Sequence, residues 1–172
     1  MSECKVRSTS WPAHRVTGVD VWPFRGAGDA VEFLLLHRSG RDGVPFWQGV
    51  SGWIEPDEPP HHTALRELRE ETGFEALELY SVDSPFDLYA WRRGTVETIV
   101  PFAALVAGDL DPTLSEEHDD WRWAPLSRAI ELVPYEPQRI ALRRIGEDLI
   151  ARPELADLYR IRTAMRAPEK SR

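Results

Sequence analysis

The segment between Pro59 and Phe74 constrains the fold of this chain most strongly. It reads PPHHTALRELREETGF, so a Pro-rich turn comes before a run of helix-forming residues and a glycine comes after it. Glycine favours the left-handed conformation in which helices commonly end. The pattern therefore predicts a helix from about His61 to Thr72, with Gly73 as its C-cap.

Three carboxylates lie on one side of this predicted helix. Successive helical residues are about 100° apart, which places Glu67, Glu70 and Glu71 within one stripe about 100° wide. Leu65 and Leu68 fall on an adjoining apolar face. The helix can thus pack on a core through its leucines while its three carboxylates point to one place.

A hard cation explains why a helix would carry such a stripe. Like charges three and four residues apart weaken a helix, and Arg66, four residues before Glu70, offsets only part of that repulsion. Oxygen-only ligands suit Mg²⁺, with Mn²⁺ as the alternative. Glu58 in the preceding turn can fold back towards the same cluster. The chain has no His or Cys set at metal-ligand spacing, which disfavours zinc.

The net charge of this 172-residue chain is concentrated in two patches. The total is −8, whereas residues 55–75 carry −5 and residues 109–120 carry −6, so the rest of the chain is +3. General nucleic-acid binding is disfavoured, because it needs Lys and Arg against phosphate. There is no run of 18 apolar residues and no apolar signal core in residues 1–15. We therefore expect no membrane span and a cytoplasmic location.

Hydrophobic periodicity predicts an α/β fold. Alternating or short apolar runs predict strands at 15–24, 33–37, 86–91, 95–106 and 120–124. Helical spacing predicts helices at 126–132, at 136–150 and from 153 to about 165. Pro101 suggests an edge strand or a bulge within 95–106. We expect a flexible arm (1–14), one domain (15–152), and a C-terminal helix and tail (153–172).

The spacing of fixed residues resembles the Nudix box. Gly52 is followed after five residues by Glu58, and after seven more by the segment RELREETGF, residues 66–74. These residues match every fixed position of that motif. The resemblance implies a Nudix α/β/α sandwich with a mixed β-sheet, to which the sequence adds a C-terminal helix. It also implies hydrolysis of a nucleoside diphosphate linked to another moiety, with Glu67, Glu70 and Glu71 as ligands of a divalent metal.

A narrower resemblance points to dATP or dihydroneopterin triphosphate pyrophosphohydrolases. It rests on the segments 46–52, 115–123 and 135–139. It implies that Glu117 activates water or completes the metal shell, with Glu116 as the alternative. The expected reaction is Mg²⁺-dependent cleavage of a (deoxy)nucleoside or dihydroneopterin triphosphate to a monophosphate and pyrophosphate. Hydrolysis of ADP-ribose, a dinucleoside polyphosphate or capped RNA is the alternative within the fold, and a non-catalytic nucleotide-binding regulator is the alternative from another class.

Further side chains are candidates for contact with a nucleotide-like polyphosphate. Trp47 and Trp91 offer aromatic faces for a flat heterocycle, although core or rim packing is the more common role of such residues. Arg92 and Arg93 offer guanidinium groups to phosphate. Arg66 is expected to orient the carboxylates through ion pairs, as part of the catalytic set with Glu70 and Glu117. The sequence leaves the choice of base or pterin open and is compatible with a homodimer.

Overall fold

The computed structural model describes residues 13–39, 43–108 and 110–162. The strands within these ranges are β1 Ala13–Arg25, β2 Glu32–Arg38, β3 Phe46–Gln48, β4 Val50–Trp53, β5 Glu78–Ser81, β6 Phe86–Ala90, β7 Thr95–Leu105 and β8 His118–Pro125. The α-helices are α1 Pro60–Thr72, α2 Leu126–Leu132, α3 Glu136–Ile145 and α4 Ala156–Tyr159. Short 3-10 turns cover Gly28–Ala30 and Pro153–Leu155, and α3 continues as a π-helical segment over Gly146–Ile150.

The sheet is mixed and is built around β1 and β7. These two strands run parallel along most of their length, and the other pairings are antiparallel. On its other side β1 pairs with β4, and it meets β2 only at Phe24 and Arg25. Strand β2 therefore diverges from β1 and pairs with β3 and β8. This divergence leaves room for a cleft beside the β1–β4 pair.

Helices cover both faces of the sheet, because alternate residues of a strand point to opposite faces. Val19 and Val21 of β1 pack with Leu68 of α1 in one buried cluster. Trp22 of the same strand packs with Leu142 of α3 in the other. The predicted α/β/α sandwich is thus confirmed. No helix in the described part of the chain is both long and apolar enough to cross a bilayer.

Most predicted elements are confirmed, and three short strands were not anticipated. Strands β3, β4 and β5 have only three or four residues each, too few to show a period. The predicted helix at 136–150 is continuous but changes to π-helical geometry at Gly146. Residues 1–12 of the predicted arm lie outside the described residues, and the proposed division into arm, domain and tail stays a prediction.

The sequence suggested an edge strand or a bulge at Pro101, and the structure shows neither. Pro101 lies inside β7, opposite Asp20 of β1, where the neighbour on the other side of β7 changes from β6 to β5. Strand β6 pairs with β7 only up to Ile99, and β5 begins to pair with it at Phe102. A residue without an N–H is tolerated there because the ladder on that side is already interrupted.

The C-terminal helix is shorter than predicted. Helix α4 ends at Tyr159, and Arg160 adopts an extended conformation with ψ 123°. The reason is pairing with the free edge of β5: the Ile161 N–H donates to the Leu79 carbonyl at 2.8 Å, and Arg160 contacts the Glu78 carboxylate at 3.1 Å. The end of the predicted helix, residues 163–165, lies outside the described residues.

Candidate active site

Helix α1 presents its carboxylates at graded depth. It begins at Pro60 and ends at Gly73, whose φ of 73° requires the left-handed conformation and whose N–H donates to the Arg69 carbonyl at 2.8 Å. Leu68 is fully buried against the sheet. The side chain of Glu71 is 8% exposed, that of Glu67 13% and that of Glu70 58%. The depth follows the angular order predicted from helix geometry, since Glu71 lies closest to the apolar face.

The guanidinium of Arg66 connects the acidic side chains. It donates to Glu58, to Glu67 at 2.7 Å and to Glu70 at 3.1 Å. It also donates to the backbone carbonyl of Trp53 at 3.1 Å, which ties α1 to the end of β4. Its hydrogen bonds to Glu58 lower the pKa of that carboxyl to about 2, and they raise the pKa of Arg66. The ion pairs expected of Arg66 are therefore present.

Glu71 is the most perturbed of these carboxyls. Burial raises its pKa to about 9, and the negative charges of Glu67 and Glu117 contribute in the same direction. A hydrogen bond with the backbone of Ser51 opposes the shift. Its Oε2 is buried and finds no hydrogen-bond partner among the described residues. The nearest imidazole nitrogen, of His118, is 3.9 Å away, and burial lowers the pKa of that histidine.

Gly52 allows Glu67 to lie directly against β4. A Cβ added at Gly52 would fall 1.9 Å from Cδ of Glu67, far inside van der Waals contact. The neighbouring atoms Oε1 and Cγ of Glu67 would lie at 2.1 and 2.2 Å. Any side chain at position 52 would thus displace the carboxylate, which explains why the chain has glycine here.

The donor set fits a hard divalent cation. The described residues do not include three or more His, Cys, Asp or Glu side chains already gathered around one point. Instead, Arg66 lies among Glu58, Glu67 and Glu70. Magnesium does not need a complete protein cage, because it keeps several waters and is commonly bound by one or two carboxylates together with substrate phosphates. The unpartnered Oε2 of Glu71 beside Glu67 meets that requirement.

Glu117 faces the same region from the loop before β8. Its carboxylate lies 3.1 Å from the Arg38 guanidinium, and its backbone carbonyl accepts from the Ser39 N–H at 3.1 Å. Its charge contributes to the raised pKa of Glu71, which places the two acids near each other. Glu116 is exposed and is not among the residues that line the cleft. The structure thus brings Glu117, and not Glu116, to the carboxylates of α1.

A cleft of about 940 Å³ runs past these groups. The charged residues that line it are Arg38, Arg66, Glu55, Glu67, Glu71 and Glu117, together with Asp20 of β1 and Asp87 of β6. One side is formed by Phe46 and Tyr135, whose rings meet edge to face at 5.6 Å. The other side is formed by Trp53, Phe86, Leu88 and Ile99. The cleft thus has an acidic centre with aromatic groups on both sides.

The four predicted substrate contacts do not line this cleft. Trp47 packs against the core on the α2–α3 face, between His37 at 4.8 Å and the Arg122 guanidinium at 4.1 Å. Trp91 is 72% exposed at the hairpin, and Arg92 lies over it. The fourth, Arg93, is bound by the Glu97 carboxylate and lies over the Trp53 ring at 4.7 Å. Local packing and ion pairing occupy these side chains instead.

Other residues of the cleft were missed from the sequence. Phe46 and Tyr135 lie in segments that carried the narrower resemblance, yet neither was singled out. Nothing in the sequence marks Arg38 as functional, because an arginine at the end of a strand is ordinary. Asp20 could have been recognised, because it is an acid inside the apolar run VDVWPF, where alternation predicts a buried side chain. Gln138, from α3, meets it there at 3.4 Å.

Comparisons with known proteins agree with this geometry. The family model of the NUDIX domain matches residues 14–146. A bis(5′-nucleosyl)-tetraphosphatase of Rattus norvegicus is 34% identical over 125 residues, which are 72% of this chain and 84% of that protein. A dihydroneopterin triphosphate diphosphatase of Haemophilus influenzae is 30% identical and covers 67% of this chain and 79% of its own length. The structure of an Ap4A hydrolase of Caenorhabditis elegans has a TM-score of 0.65 at 26% identity and covers 78% and 97% of the two chains.

Proposed function

Because the chain belongs to the Nudix family, whose hydrolases act on pyrophosphate bonds, we propose that it hydrolyses a nucleoside polyphosphate with a divalent cation held on α1. One observation carries the proposal. Within the cleft, Glu67 and Glu71 lie side by side, and the buried Oε2 of Glu71 has no hydrogen-bond partner among the described residues. Leaving such an acceptor unpaired costs about 1–3 kcal/mol, which a bound cation offsets.

Glu67, Glu71 and Glu117, which line the cleft, would hold the cation, together with Glu70, which is 58% exposed and does not line it. Mg²⁺ is the expected ion, with Mn²⁺ as the alternative, since Nudix hydrolases generally use such divalent metals. When bound, it neutralises phosphate oxygens and so lets an acidic cleft accept a polyanion. Arg66 positions Glu67 and Glu70 through its hydrogen bonds and has no role in proton transfer.

Glu117 is the proposed general base. It lines the cleft beside the α1 carboxylates, and its side chain is 60% exposed and so accessible to water. As a water oxygen forms a new bond to phosphorus, Glu117 takes the proton, and the bond to the bridging oxygen of the anhydride breaks. Arg38 holds the Glu117 carboxylate from the far side at 3.1 Å. Glu116 is the alternative base suggested by the sequence, but it does not line the cleft.

A dinucleoside polyphosphate is the substrate that the shape of the cleft favours. Phe46 lies on β3, which pairs with β2, whereas Phe86 lies on β6, which pairs with β7, so the two rings come from different parts of the sheet. Aromatic groups at two places in the cleft suit a substrate with a flat ring at each end and phosphates between. The 34% identical relative carries a name of this substrate class.

A (deoxy)nucleoside triphosphate or dihydroneopterin triphosphate is the second candidate. It is supported by the 30% identity to a dihydroneopterin triphosphate diphosphatase. Such a substrate fills one aromatic side of the cleft, with its phosphates on the acidic centre. The products are then a monophosphate and pyrophosphate.

A substrate panel with product analysis tests the proposal. The substrates compared are dinucleoside tetraphosphates, nucleoside triphosphates, dihydroneopterin triphosphate, capped RNA and ADP-ribose, each with Mg²⁺. We expect turnover of the dinucleoside substrates, and expect Glu71→Gln and Glu117→Gln each to lower kcat more than tenfold. The exposed Glu75→Gln serves as a matched control outside the cleft and should keep wild-type turnover. Nucleotide binding without turnover of any of these substrates would instead support a non-catalytic regulator.

A further inference from the structure

Asp20 and Gln138 form a polar pair in the cleft that the proposed reaction does not use. Both side chains are buried, at 6% residual exposure, and both line the cleft. Asp20 comes from β1 and lies opposite Ser51 of β4, while Gln138 comes from the first turns of α3. Two elements distant in sequence thus bring a carboxylate and an amide together in the cleft that Phe46 and Tyr135 also line.

Hydrogen bonding fixes the chemical character of this pair. A carboxylate accepts hydrogen bonds, so the Gln138 amide turns its Nε2 towards Asp20 and donates to Oδ2 at 3.4 Å. The Gln138 Oε1 then points away and has no hydrogen-bond partner in the described part of the chain, although it is buried. The Asp20 carboxylate therefore keeps lone pairs that can accept N–H donors from a ligand in the cleft. Burial also raises the pKa of Asp20 to about 6, so the group is mostly ionised at neutral pH.

We propose that the carboxylate of Asp20, oriented by Gln138, selects a heterocycle whose edge carries two neighbouring N–H donors. Guanine and the 2-amino-4-oxo pterins have such an edge, with a ring N–H beside an amino group. Adenine presents an amino donor beside a ring nitrogen that is an acceptor, and that nitrogen would face another acceptor here. A site built to hydrogen-bond a substrate group discriminates strongly against an analogue that leaves buried groups unpaired.

The position of the pair suits this role. Asp20 lies on the face of β1 opposite to Val19 and Val21, which pack against α1, so its side chain points to the α3 side of the sheet, where Gln138 meets it. Phe46 and Tyr135 line the same cleft and offer ring faces to a bound heterocycle. The proposal thus rests on the proposed function, and it names the base at one end of that substrate.

Competition between bases is the test. For the wild-type protein we expect kcat/KM for diguanosine tetraphosphate to exceed that for diadenosine tetraphosphate by about tenfold or more. Asp20→Asn replaces one acceptor by a donor of the same shape, so it should remove this preference or shift it towards adenine. Gln138→Leu should also reduce the preference. Asp148 is a buried acid of similar exposure that does not line the cleft, so Asp148→Asn should leave the preference unchanged.

Equilibrium binding separates failure of this inference from failure of the proposed reaction. Affinities of the α,β-methylene analogues of GTP and ATP, measured by calorimetry with Ca²⁺, require no turnover. A guanine preference that Asp20→Asn abolishes supports the inference even if no substrate is hydrolysed. Equal affinity for both analogues, or a preference unaffected by Asp20→Asn in a folded protein, overturns it. A dihydroneopterin triphosphate arm shows whether a pterin is bound in preference to guanine.

Discussion

Replacing Glu71 by glutamine should change how the stability of the metal-free protein depends on pH. In the folded chain the Glu71 pKa is raised from the ordinary 4.5 to about 9, mainly by burial. Between these two values the folded state binds more protons than the unfolded state, so the free energy of unfolding falls as pH rises. Glutamine is neutral at every pH, so Glu71→Gln removes this pH-dependent part of the free energy of unfolding.

The size of the effect follows from the pKa difference. Between the two pKa values, each pH unit lowers the free energy of unfolding by a little over 1 kcal/mol. Between about pH 5.5 and pH 8, the wild type should therefore lose about 3 kcal/mol of unfolding free energy relative to Glu71→Gln. Urea unfolding at both pH values, with EDTA present, measures it. Glu75→Gln is the matched control, because that acid is exposed and the Arg69 guanidinium lowers its pKa, out of this window.

Addition of Mg²⁺ extends the test. A cation bound to the Glu71 carboxylate favours its ionised form, so Mg²⁺ should restore stability to the wild type at about pH 8 and have little effect on Glu71→Gln. Parallel pH profiles for the wild type and Glu71→Gln in EDTA would refute the reasoning, because they would mean that Glu71 ionises normally in the folded chain.

The remaining predictions concern three other positions of the site. Glu117→Gln should lower kcat more than tenfold with KM nearly unchanged, as steady-state kinetics at saturating Mg²⁺ would show; equal losses in kcat and substrate affinity would instead indicate a binding role. Gly52→Ala should weaken Mn²⁺ binding several-fold with little change in the free energy of unfolding, since the new Cβ displaces the end of the Glu67 side chain, and wild-type Mn²⁺ affinity would contradict this. Hydrogen bonds with Arg66 lower the pKa of Glu58 to about 2, so Glu58 stabilises the fold above about pH 4.5 and this stabilisation is lost as the pH falls. When the pH is lowered, the free energy of unfolding should therefore fall less for Glu58→Gln than for the wild type.

The sequence predicted the parts of the site that lie on one helix. Consecutive residues of α1 have fixed angles, so the common face of Glu67 and Glu71, and the position of Leu68 behind them, follow from spacing alone. The C-cap at Gly73 follows from the same local chemistry. Glu58 and Arg66 are close in sequence, and their contact follows from the turn between them.

Residues brought together by the sheet could not be predicted in this way. Asp20 and Gln138 are 118 positions apart, and they meet because β1 is central and α3 packs across its face. The strand order also decides that Phe86 reaches the cleft whereas Trp91, five residues later, lies at an exposed turn. Such contacts depend on register and layer packing, which a single sequence specifies only through the complete fold.

Binding of Mn²⁺, followed by electron paramagnetic resonance, shows whether the α1 carboxylates hold the cation. We expect the wild type and Glu75→Gln to bind Mn²⁺ with equal affinity, and Glu71→Gln to bind at least about tenfold more weakly while remaining folded. Equal Mn²⁺ affinity in the wild type and Glu71→Gln would mean that the cation lies elsewhere and that the proposed site is wrong.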